Sequence, residues 1–154
     1  MAAIKFADPA TIVWVASADE PEGDVRQALA KLSDKERKGS FAMHHPGTEQ
    51  DLQLFEVEIP AGGGTEVHAH AEAEIIYVVA GEMKLGARTL CAGASVFIPA
   101  GTLYSFSAGE SGLRFLNFRP RRDVSYITKD EFMSERRSSH VPRDGQTLAS
   151  EGSV

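Results

Sequence analysis

The stretch HAHAEAE, residues 68–74, holds two imidazoles and two carboxylates at alternating positions. Residues two apart on a strand project from the same face, so His68 and His70 can share one ion. If the chain then turns, Glu74 can return towards them from the next strand. Two neutral imidazoles and one carboxylate suit divalent Fe, Mn, Co, Ni or Zn. The competing interpretation is the solvated face of a strand that leaves a glycine-rich loop.

Other residues with reactive side chains receive simpler interpretations. Glu72 lies in the turn and is expected to face solvent; its alternatives are a substitute ligand or a partner for a histidine N–H. His44 and His45 are predicted to lie at the surface or to pack in a loop, with a fourth-ligand role as the alternative. His140 is predicted at the surface, and Cys91 as a small buried residue.

The elements that must position these residues are mostly strands. QLFEVEI alternates apolar and acidic residues and ends at a proline and three glycines, which is typical of a half-buried strand. Short apolar segments follow at intervals of about 8 to 12 residues, each ending in Gly or Pro, a rhythm typical of a β sandwich or barrel. They are EVHAH, EIIYVVAG, EMKLGARTLCAG, SVFIPAG, LYSFSAG and LRFLNFRP.

The ends of the chain carry the remaining elements. Residues 11–17 predict a first strand and residues 24–37 a helix; residues 128–137 predict a second helix capped by Thr128 and Glu131. We therefore expect one domain in three parts: 1–50 as an N-terminal strand and helix extension, 51–122 as the β core, and 123–154 as a C-terminal helix and polar tail.

Bulk properties exclude several classes of function. The net charge of -6 and the pI near 5.3 argue against a nucleic-acid or anionic membrane partner. The basic runs KERK (35–38), RPRR (119–122) and RR (136–137) are interleaved with acids and predicted to be solvated. A single cysteine gives no internal disulfide, and no apolar stretch approaches 18 residues. A cytoplasmic location is the default expectation.

The glycines around the histidines add a family resemblance. Gly62 precedes His68 by six residues and Gly81 follows Glu74 by seven, giving G-x5-H-x-H-x3-E-x6-G, which resembles the first motif of the cupin family. The resemblance spans roughly residues 55–117. It implies an all-β, antiparallel jelly-roll β-barrel, here with short N- and C-terminal helices, and a metal held inside by His68, His70 and Glu74.

A second motif of the family is matched only in part. Gly93, Pro99 and Gly101 fit G-x5-P-x-G, but Tyr104 stands where the family has a third histidine ligand and Ala108 where it often has asparagine. Ionising a phenol near pH 7 costs about 4 kcal/mol from a pKa of about 10 unless a metal lowers it. Three hypotheses follow: a 2-His-1-carboxylate site with open positions, a Tyr104 phenolate ligand, or a pocket without metal.

Strand parity predicts what lines the cavity. If Glu74 faces inward, so do Ile76 and Val78, and Tyr77 faces outward. The alternation in QLFEVEI turns its apolar residues Phe55 and Val57 inward. If Tyr104 faces inward, Phe106, two residues later, does so too. The predicted substrate pocket consists of Phe55, Val57, Ile76, Phe106, Phe115 and Asn117. No inward Arg or Lys is evident, which favours a small, partly apolar or aromatic substrate.

The leading hypothesis is a metal-dependent cupin enzyme, specifically a non-haem Fe(II) dioxygenase in which Tyr104 donates a hydrogen bond. Fe is the favoured metal, with Mn, Ni, Co or Zn as alternatives. A lyase or isomerase with Tyr104 as general acid or base is the first alternative. A non-catalytic module for a small ligand or metal is the second, and a metal-free pair of a histidine and Tyr104 the third. The family and the exposed edge of an open sheet also predict a homodimer.

Overall fold

The computed structural model of the 154-residue chain describes residues 3–19, 23 and 25–139. In this part of the chain the strands pair antiparallel throughout. They are β1 (Trp14–Ala16), β2 (Ser40–His45), β3 (Gln53–Ile59), β4 (His68–Ala69), β5 (Glu74–Leu85), β6 (Arg88–Cys91), β7 (Ser95–Ile98), β8 (Ser107–Arg119) and β9 (Ile127–Thr128). The prediction of an all-β antiparallel architecture is confirmed.

Two long strands, β5 and β8, form the centre of the main sheet. Its order is β1-β2-β3-β8-β5-β6, with β7 pairing along the first half of β5. The short strands β4 and β9 form a separate pair. The inner face of the strands is filled by apolar side chains that form the hydrophobic core: Ile59, Ile76, Val78, Met83, Ile98, Phe106, Ala108, Leu113 and Phe115. The strands β1 and β2, which fall in the predicted N-terminal extension, add to the edge of the sheet at β3.

Glycines bend the central strands without ending them, contrary to the sequence-based prediction of separate short strands. Strand β5 runs through Gly81, and β8 runs through Gly112, which lies against it. A Cβ on Gly81 would stand 2.1 Å from the Gly112 carbonyl oxygen, so the two backbones approach where only glycine fits. The register between β5 and β8 shifts on both sides of Gly81. These bulges curve both strands while keeping them paired.

The helices are short and lie at both ends, as expected, but the first is shorter than predicted. Helix α1 covers Val25–Ala30, and a 3-10 helix covers Glu36–Lys38. Glu36, the first residue of the 3-10 helix, accepts a hydrogen bond from the Ser33 backbone N–H at 2.7 Å, so a separate turn begins at Ser33. Helix α2 covers Lys129–Ser139. No helix in the described ranges is long and apolar enough to cross a membrane.

The cap of α2 forms as its sequence predicts. The Thr128 N–H donates to the Glu131 carboxylate at 2.8 Å, and the Glu131 N–H donates to the Thr128 hydroxyl at 3.3 Å.

The expectations for Cys91 and His140 have other outcomes. Cys91 is exposed and not buried, because it ends the edge strand β6, which pairs only with β5. His140 and the tail beyond it lie outside the described residues.

Candidate active site

The two cupin-like motifs meet at one end of the barrel. Tyr104 lies directly opposite His68, and the two backbones exchange hydrogen bonds of 3.0 and 2.9 Å. The Gly101 N–H donates to the His70 carbonyl oxygen at 2.8 Å. The segment that carries Tyr104 therefore runs alongside the histidine segment, and its side chain enters the same site.

His68 is held by its ring nitrogen and by its ring faces. Its Nδ1 lies 2.8 Å from the Glu66 carbonyl oxygen, which can only accept, so Nδ1 carries the proton and Nε2 is the free acceptor. The ring stacks on Tyr126 at 4.6 Å between centroids and 3° between planes, and the Tyr104 ring lies 4.5 Å away. Burial lowers the pKa of His68 below its usual value, which keeps the imidazole neutral at pH 7.

His70 repeats this arrangement on the same side of the strand. Its Nδ1 donates to the Ser125 carbonyl oxygen at 2.5 Å, and its ring centroid lies 4.9 Å from that of His68. Burial, followed by the positive charge of Arg119, lowers the pKa of His70 to about 4. The site thus presents two neutral imidazoles, each with Nε2 as the unprotonated nitrogen.

Glu74 is buried at the first residue of β5 and fully engaged by donors. One carboxylate oxygen accepts the Tyr104 hydroxyl, and the other accepts Asn117 at 2.7 Å and Arg119 at 3.1 Å. Burial alone would raise the pKa of Glu74, but Arg119 and the hydrogen bonds bring it below its usual value. The residue is therefore an ionised carboxylate in a charge pair.

Arg119 corrects two sequence-based interpretations. It is buried and not solvated with the rest of RPRR, and it supplies the inward cation that parity did not reveal. Its guanidinium donates to Asn117 at 3.2 Å and to the Asp123 carbonyl oxygen at 2.9 Å, and it lies 5.1 Å from the centroid of the Phe55 ring. Because Arg119 stands two residues after Asn117 on β8, the parity rule could have placed it on the inner face.

Tyr104 is a protonated phenol in this site. Burial, then the negative charge of Glu74, raises its pKa well above the usual value. Its hydroxyl proton is donated to Glu74. This arrangement does not support the hypothesis of a phenolate ligand. The catalytic role predicted for Tyr104 stays a prediction.

The histidines fit a divalent metal, but the third predicted ligand does not. A ring N–H bound to a carbonyl oxygen is how metal-ligating histidines are commonly oriented. Glu74, in contrast, already accepts three hydrogen bonds, one of them from a buried cation. In residues 3–19, 23 and 25–139, no group of three or more His, Cys, Asp or Glu side chains could hold a metal ion. Metal binding by His68, His70 and Glu74 stays a prediction that this donor set does not favour.

A cavity of about 210 Å³ opens beside the histidines. It is lined by all six predicted pocket residues: Phe55, Val57, Ile76, Phe106, Phe115 and Asn117. Apolar residues of α1 and the turn after it, including Leu29 and Leu32, cover another part of its wall. The cavity lies below the range of about 300–1,000 Å³ typical of drug-sized ligands, so it has room only for a small molecule.

Several residues of the site carried no sequence signal. Tyr126 and Ser125 precede β9, in a segment without a motif, and reach the histidines only because β9 pairs with β4. Glu72, as expected, points outward, where it pairs with Arg121 at 3.2 Å. The fourth-ligand alternative for His44 finds no support, since its ring bonds Glu56 at 3.1 Å instead of lining the cavity.

Comparison with known proteins identifies the barrel. A family model described as a cupin domain matches residues 55–118. No curated protein matches the chain significantly. An RmlC-like cupin protein from Ralstonia eutropha JMP134 superposes with a TM-score of 0.57 at 15% identity, covering 86% of this chain and 84% of its own.

Two enzymes share the fold at similar distance. The polyketide cyclase RemF from Streptomyces resistomycificus has a TM-score of 0.52 at 23% identity, over 64% of this chain and 79% of its own. The oxalate decarboxylase of Lactobacillus farciminis has a TM-score of 0.52 at 22% identity, over 68% of this chain and 36% of its own. The predicted jelly-roll β fold is thereby confirmed. Residues 55–118 form a cupin domain, as the two motifs predict.

Proposed function

We propose that this cupin binds a small, mainly apolar organic molecule in its barrel and transfers a proton on it, with His68 as the proton acceptor and without a metal ion. One observation carries the proposal: both imidazoles at the cavity have Nδ1 fixed on a backbone carbonyl, which leaves Nε2 unprotonated. The lowered pKa values keep both rings neutral, and a neutral imidazole can accept a proton near pH 7.

His68 is the better proton acceptor of the two. After burial, the strongest influence on the pKa of His70 is the repelling charge of Arg119. For His68, the Glu66 carbonyl oxygen and the carboxylates of Glu74 and Glu36 counteract burial, and Arg119 is the weakest influence. A proton taken up by His68 is therefore better stabilised than one taken up by His70.

The apolar cavity limits the substrate. The inward cation, Arg119, is already paired with Glu74 and lies close to Asp123, so it offers little to a second anion. A neutral molecule with a carbonyl or hydroxyl group fits the remaining donors and acceptors better than a phosphate does. We propose abstraction of a proton from a hydroxyl group, or from a carbon next to a carbonyl, as the class of reaction. Tyr104, opposite His68, is proposed to orient a substrate hydroxyl group, which its phenol oxygen can accept while its own proton is donated to Glu74.

Exchange of substrate protons in D₂O tests this proposal. Chelator-treated protein is incubated with small ketones, enols, β-hydroxy carbonyl compounds and phenyl ketones, and loss of C–H signal is followed by proton NMR. We expect exchange on at least one compound, reduced about a hundredfold or more in His68→Gln. His45→Gln, which changes a histidine outside the cavity, is the control. Exchange that disappears with the chelator and returns with Fe(II) would overturn the metal-free proposal.

The dioxygenase hypothesis remains as a second candidate, because the orientation of the two histidines also suits metal ligands. It requires Glu74 to exchange its bond to Arg119 for a metal ion. Metal analysis of protein purified without added metal tests it directly. Close to one ion per chain, lost in His68→Ala, together with O₂ uptake on an aromatic or diketone substrate, would favour this candidate.

We also propose that the protein forms a homodimer through the outer face of the main sheet. One row of apolar side chains crosses four strands there: Phe97, Ile75, Phe118 and Leu54. The next row contributes Tyr77 and Leu116. Phe97 is 64% exposed and Phe118 43%, and a contiguous apolar surface of this kind is typical of a protein–protein contact.

Two features of the chain favour a second copy as the partner on this face. The first row carries no charged side chain on these four strands, and Glu56, which continues the second row beside Leu116, is paired with Arg114. An acidic or basic partner would therefore gain little. The N-terminal segment also exposes Ile4 and Phe6, which find no apolar cover in the monomer. A symmetric contact can cover both surfaces at once.

A further inference from the structure

A buried carboxylate that belongs to neither cupin-like motif is bonded to two neighbours of His68. Glu36, in the 3-10 helix, is only 8% exposed, although its KERK run reads as a solvated face. Its oxygens accept three hydrogen bonds: from the Ser33 N–H at 2.7 Å, from the Glu66 N–H at 3.0 Å, and from the Tyr126 hydroxyl. The prediction that this run is solvated is wrong for Glu36.

Two of these three donors lead directly to His68. The residue whose N–H binds Glu36 is Glu66, and the carbonyl oxygen of Glu66 accepts the Nδ1 proton of His68. The phenol that binds Glu36 belongs to Tyr126, whose ring lies parallel to the His68 ring at 4.6 Å. Glu36 therefore holds both the acceptor that selects the tautomer of His68 and the ring that sets its plane.

Tyr126 is fixed from a second side as well. Its backbone carbonyl oxygen accepts a hydrogen bond from Lys31 at 2.8 Å, and Lys31 is itself bonded to Glu131 at the start of α2. Its hydroxyl is held by Glu36 at the other end of the residue. With both ends fixed, the ring keeps its place against His68.

We propose that Glu36 is a positioning residue: through Glu66 and Tyr126 it holds His68 in the tautomer and orientation that direct Nε2 at the substrate. This inference rests on the proposed role of His68 as proton acceptor. A carboxylate suits the task because it accepts several hydrogen bonds and donates none. A glutamine in its place turns one end of the group into a donor, which must face the N–H of Ser33 or Glu66, or the phenol of Tyr126.

The state of His68 can be read without any substrate. Protein with ¹⁵N-labelled histidine gives imidazole nitrogen shifts that distinguish an Nδ1–H tautomer from an Nε2–H tautomer, and His68→Gln assigns the signals. We expect wild type to show only the Nδ1–H form for His68 at pH 7. Glu36→Gln should show a mixture of both forms, while His70, which is bonded to Ser125, keeps its signals. Glu135→Gln, which changes an exposed carboxylate further along α2, is the control and should leave His68 unchanged.

A milder variant protects the test against misfolding. Tyr126→Phe removes only the hydroxyl that binds Glu36 and keeps the stacked ring. In the exchange assay we expect each of Glu36→Gln and Tyr126→Phe to lower kcat about tenfold or more with little change in KM, because a misaligned acceptor affects the transfer step. The double variant should be little slower than Glu36→Gln alone, since both changes act on one ring.

The two readouts separate the two proposals. A pure Nδ1–H form of His68 in both variants overturns the role of Glu36, whatever the exchange assay gives. A shifted tautomer without exchange on any compound supports Glu36 as the residue that positions His68 and counts against proton transfer as the function. Equal losses of kcat in Glu135→Gln would show a general effect of removing a carboxylate and would overturn the proposal.

Discussion

The two faces of the central strands β5 and β8 reverse the usual distribution of polarity. Towards the barrel the strands project Glu74, Ile76, Val78, Phe115, Asn117 and Arg119, all buried. Away from it they project Ile75, Tyr77, Val79, Leu116 and Phe118, which are exposed or half-buried. The inner face carries the buried pair of Glu74 and Arg119, whereas the outer face carries the partly exposed Arg114, which pairs with Glu56 of β3.

The two faces are suited to different roles. Buried charges are costly unless they are paired and hydrogen-bonded, and Glu74 and Arg119 are both. Among the described residues no buried side-chain nitrogen or oxygen lacks a partner. The polar inner end of the barrel is therefore fully hydrogen-bonded within the monomer, which supports the proposed small-molecule site. The apolar outer face stays exposed in the monomer, which supports the proposed contact with a second copy.

The largest effect is expected from breaking the inner charge pair. Glu74→Ala leaves the Arg119 guanidinium buried with only Asp123 as a more distant acid, and it also removes the acceptor of Tyr104 and Asn117. We expect the free energy of unfolding to fall by about 3–5 kcal/mol. Urea denaturation followed by circular dichroism measures the change.

The matched control stands two residues away. Glu72 pairs with the exposed Arg121, so Glu72→Ala should cost less than about 1 kcal/mol. Similar losses in the two variants would show that the buried pair adds nothing beyond a surface contact, and the contrast between the two faces would then lose its electrostatic part.

The second effect compares neighbouring residues of one type. Ile76 is fully buried and Ile75 is 46% exposed on the opposite face. Ile76→Ala should lower the free energy of unfolding by about 2–5 kcal/mol, because it leaves a cavity in the core. Ile75→Ala should cost well under half as much in dilute protein. A larger loss for Ile75 that grows with protein concentration would instead indicate that the outer face is buried by association.

Strand parity predicted much of this contrast from the sequence. Glycine spacing located the segments of His68 and Tyr104, and alternation put Ile76 inside and Tyr77 outside, where the structure has them. The prediction failed where a tertiary contact decides the local backbone conformation. Gly81 reads as a strand end, although its contact with Gly112 turns it into a bend inside a continuous strand.

Long-range contacts account for what the sequence did not reveal. Glu36 and Arg119 sit in charged runs that look solvated, and only tertiary packing gives each a buried partner. Tyr126 lies 58 residues beyond His68 in sequence and reaches it through the pairing of β4 with β9. No local pattern specifies a contact of that separation.

The third effect is a pH dependence that belongs to the inner face. Burial and Arg119 hold the pKa of His70 at about 4, below the 6.5 expected in the unfolded chain. Between these values the unfolded chain binds more protons, so the free energy of unfolding falls as pH drops from about 6.5 towards 4. The slope reaches up to about 1.4 kcal/mol per pH unit for one group.

Urea titrations at several pH values measure this slope. His70→Gln should reduce it and leave the part that comes from His68, whose pKa is also lowered, whereas His45→Gln, on β2, should leave the whole slope in place. The pKa of Glu74 is also lowered, and its contribution to stability is lost only at still lower pH, below about 4.5. A slope that His70→Gln leaves unchanged between pH 6.5 and 4 would assign the titration to other groups.

The smallest effect is expected on the outer face. Phe118→Glu places a charge at the middle of the apolar row, next to Ile75 in register, and two such charges meet in a symmetric contact. We expect the dimer dissociation constant to rise tenfold or more, which is about 1.4 kcal/mol, with the stability of the monomer little changed. Analytical ultracentrifugation over a concentration series measures it. Leu52→Glu, which changes a more exposed apolar residue in the loop before β3, is the control and should not alter association. If Leu52→Glu dissociates the dimer and Phe118→Glu does not, the contact lies at the loop and N-terminal segment, and the apolar face of the sheet serves another partner.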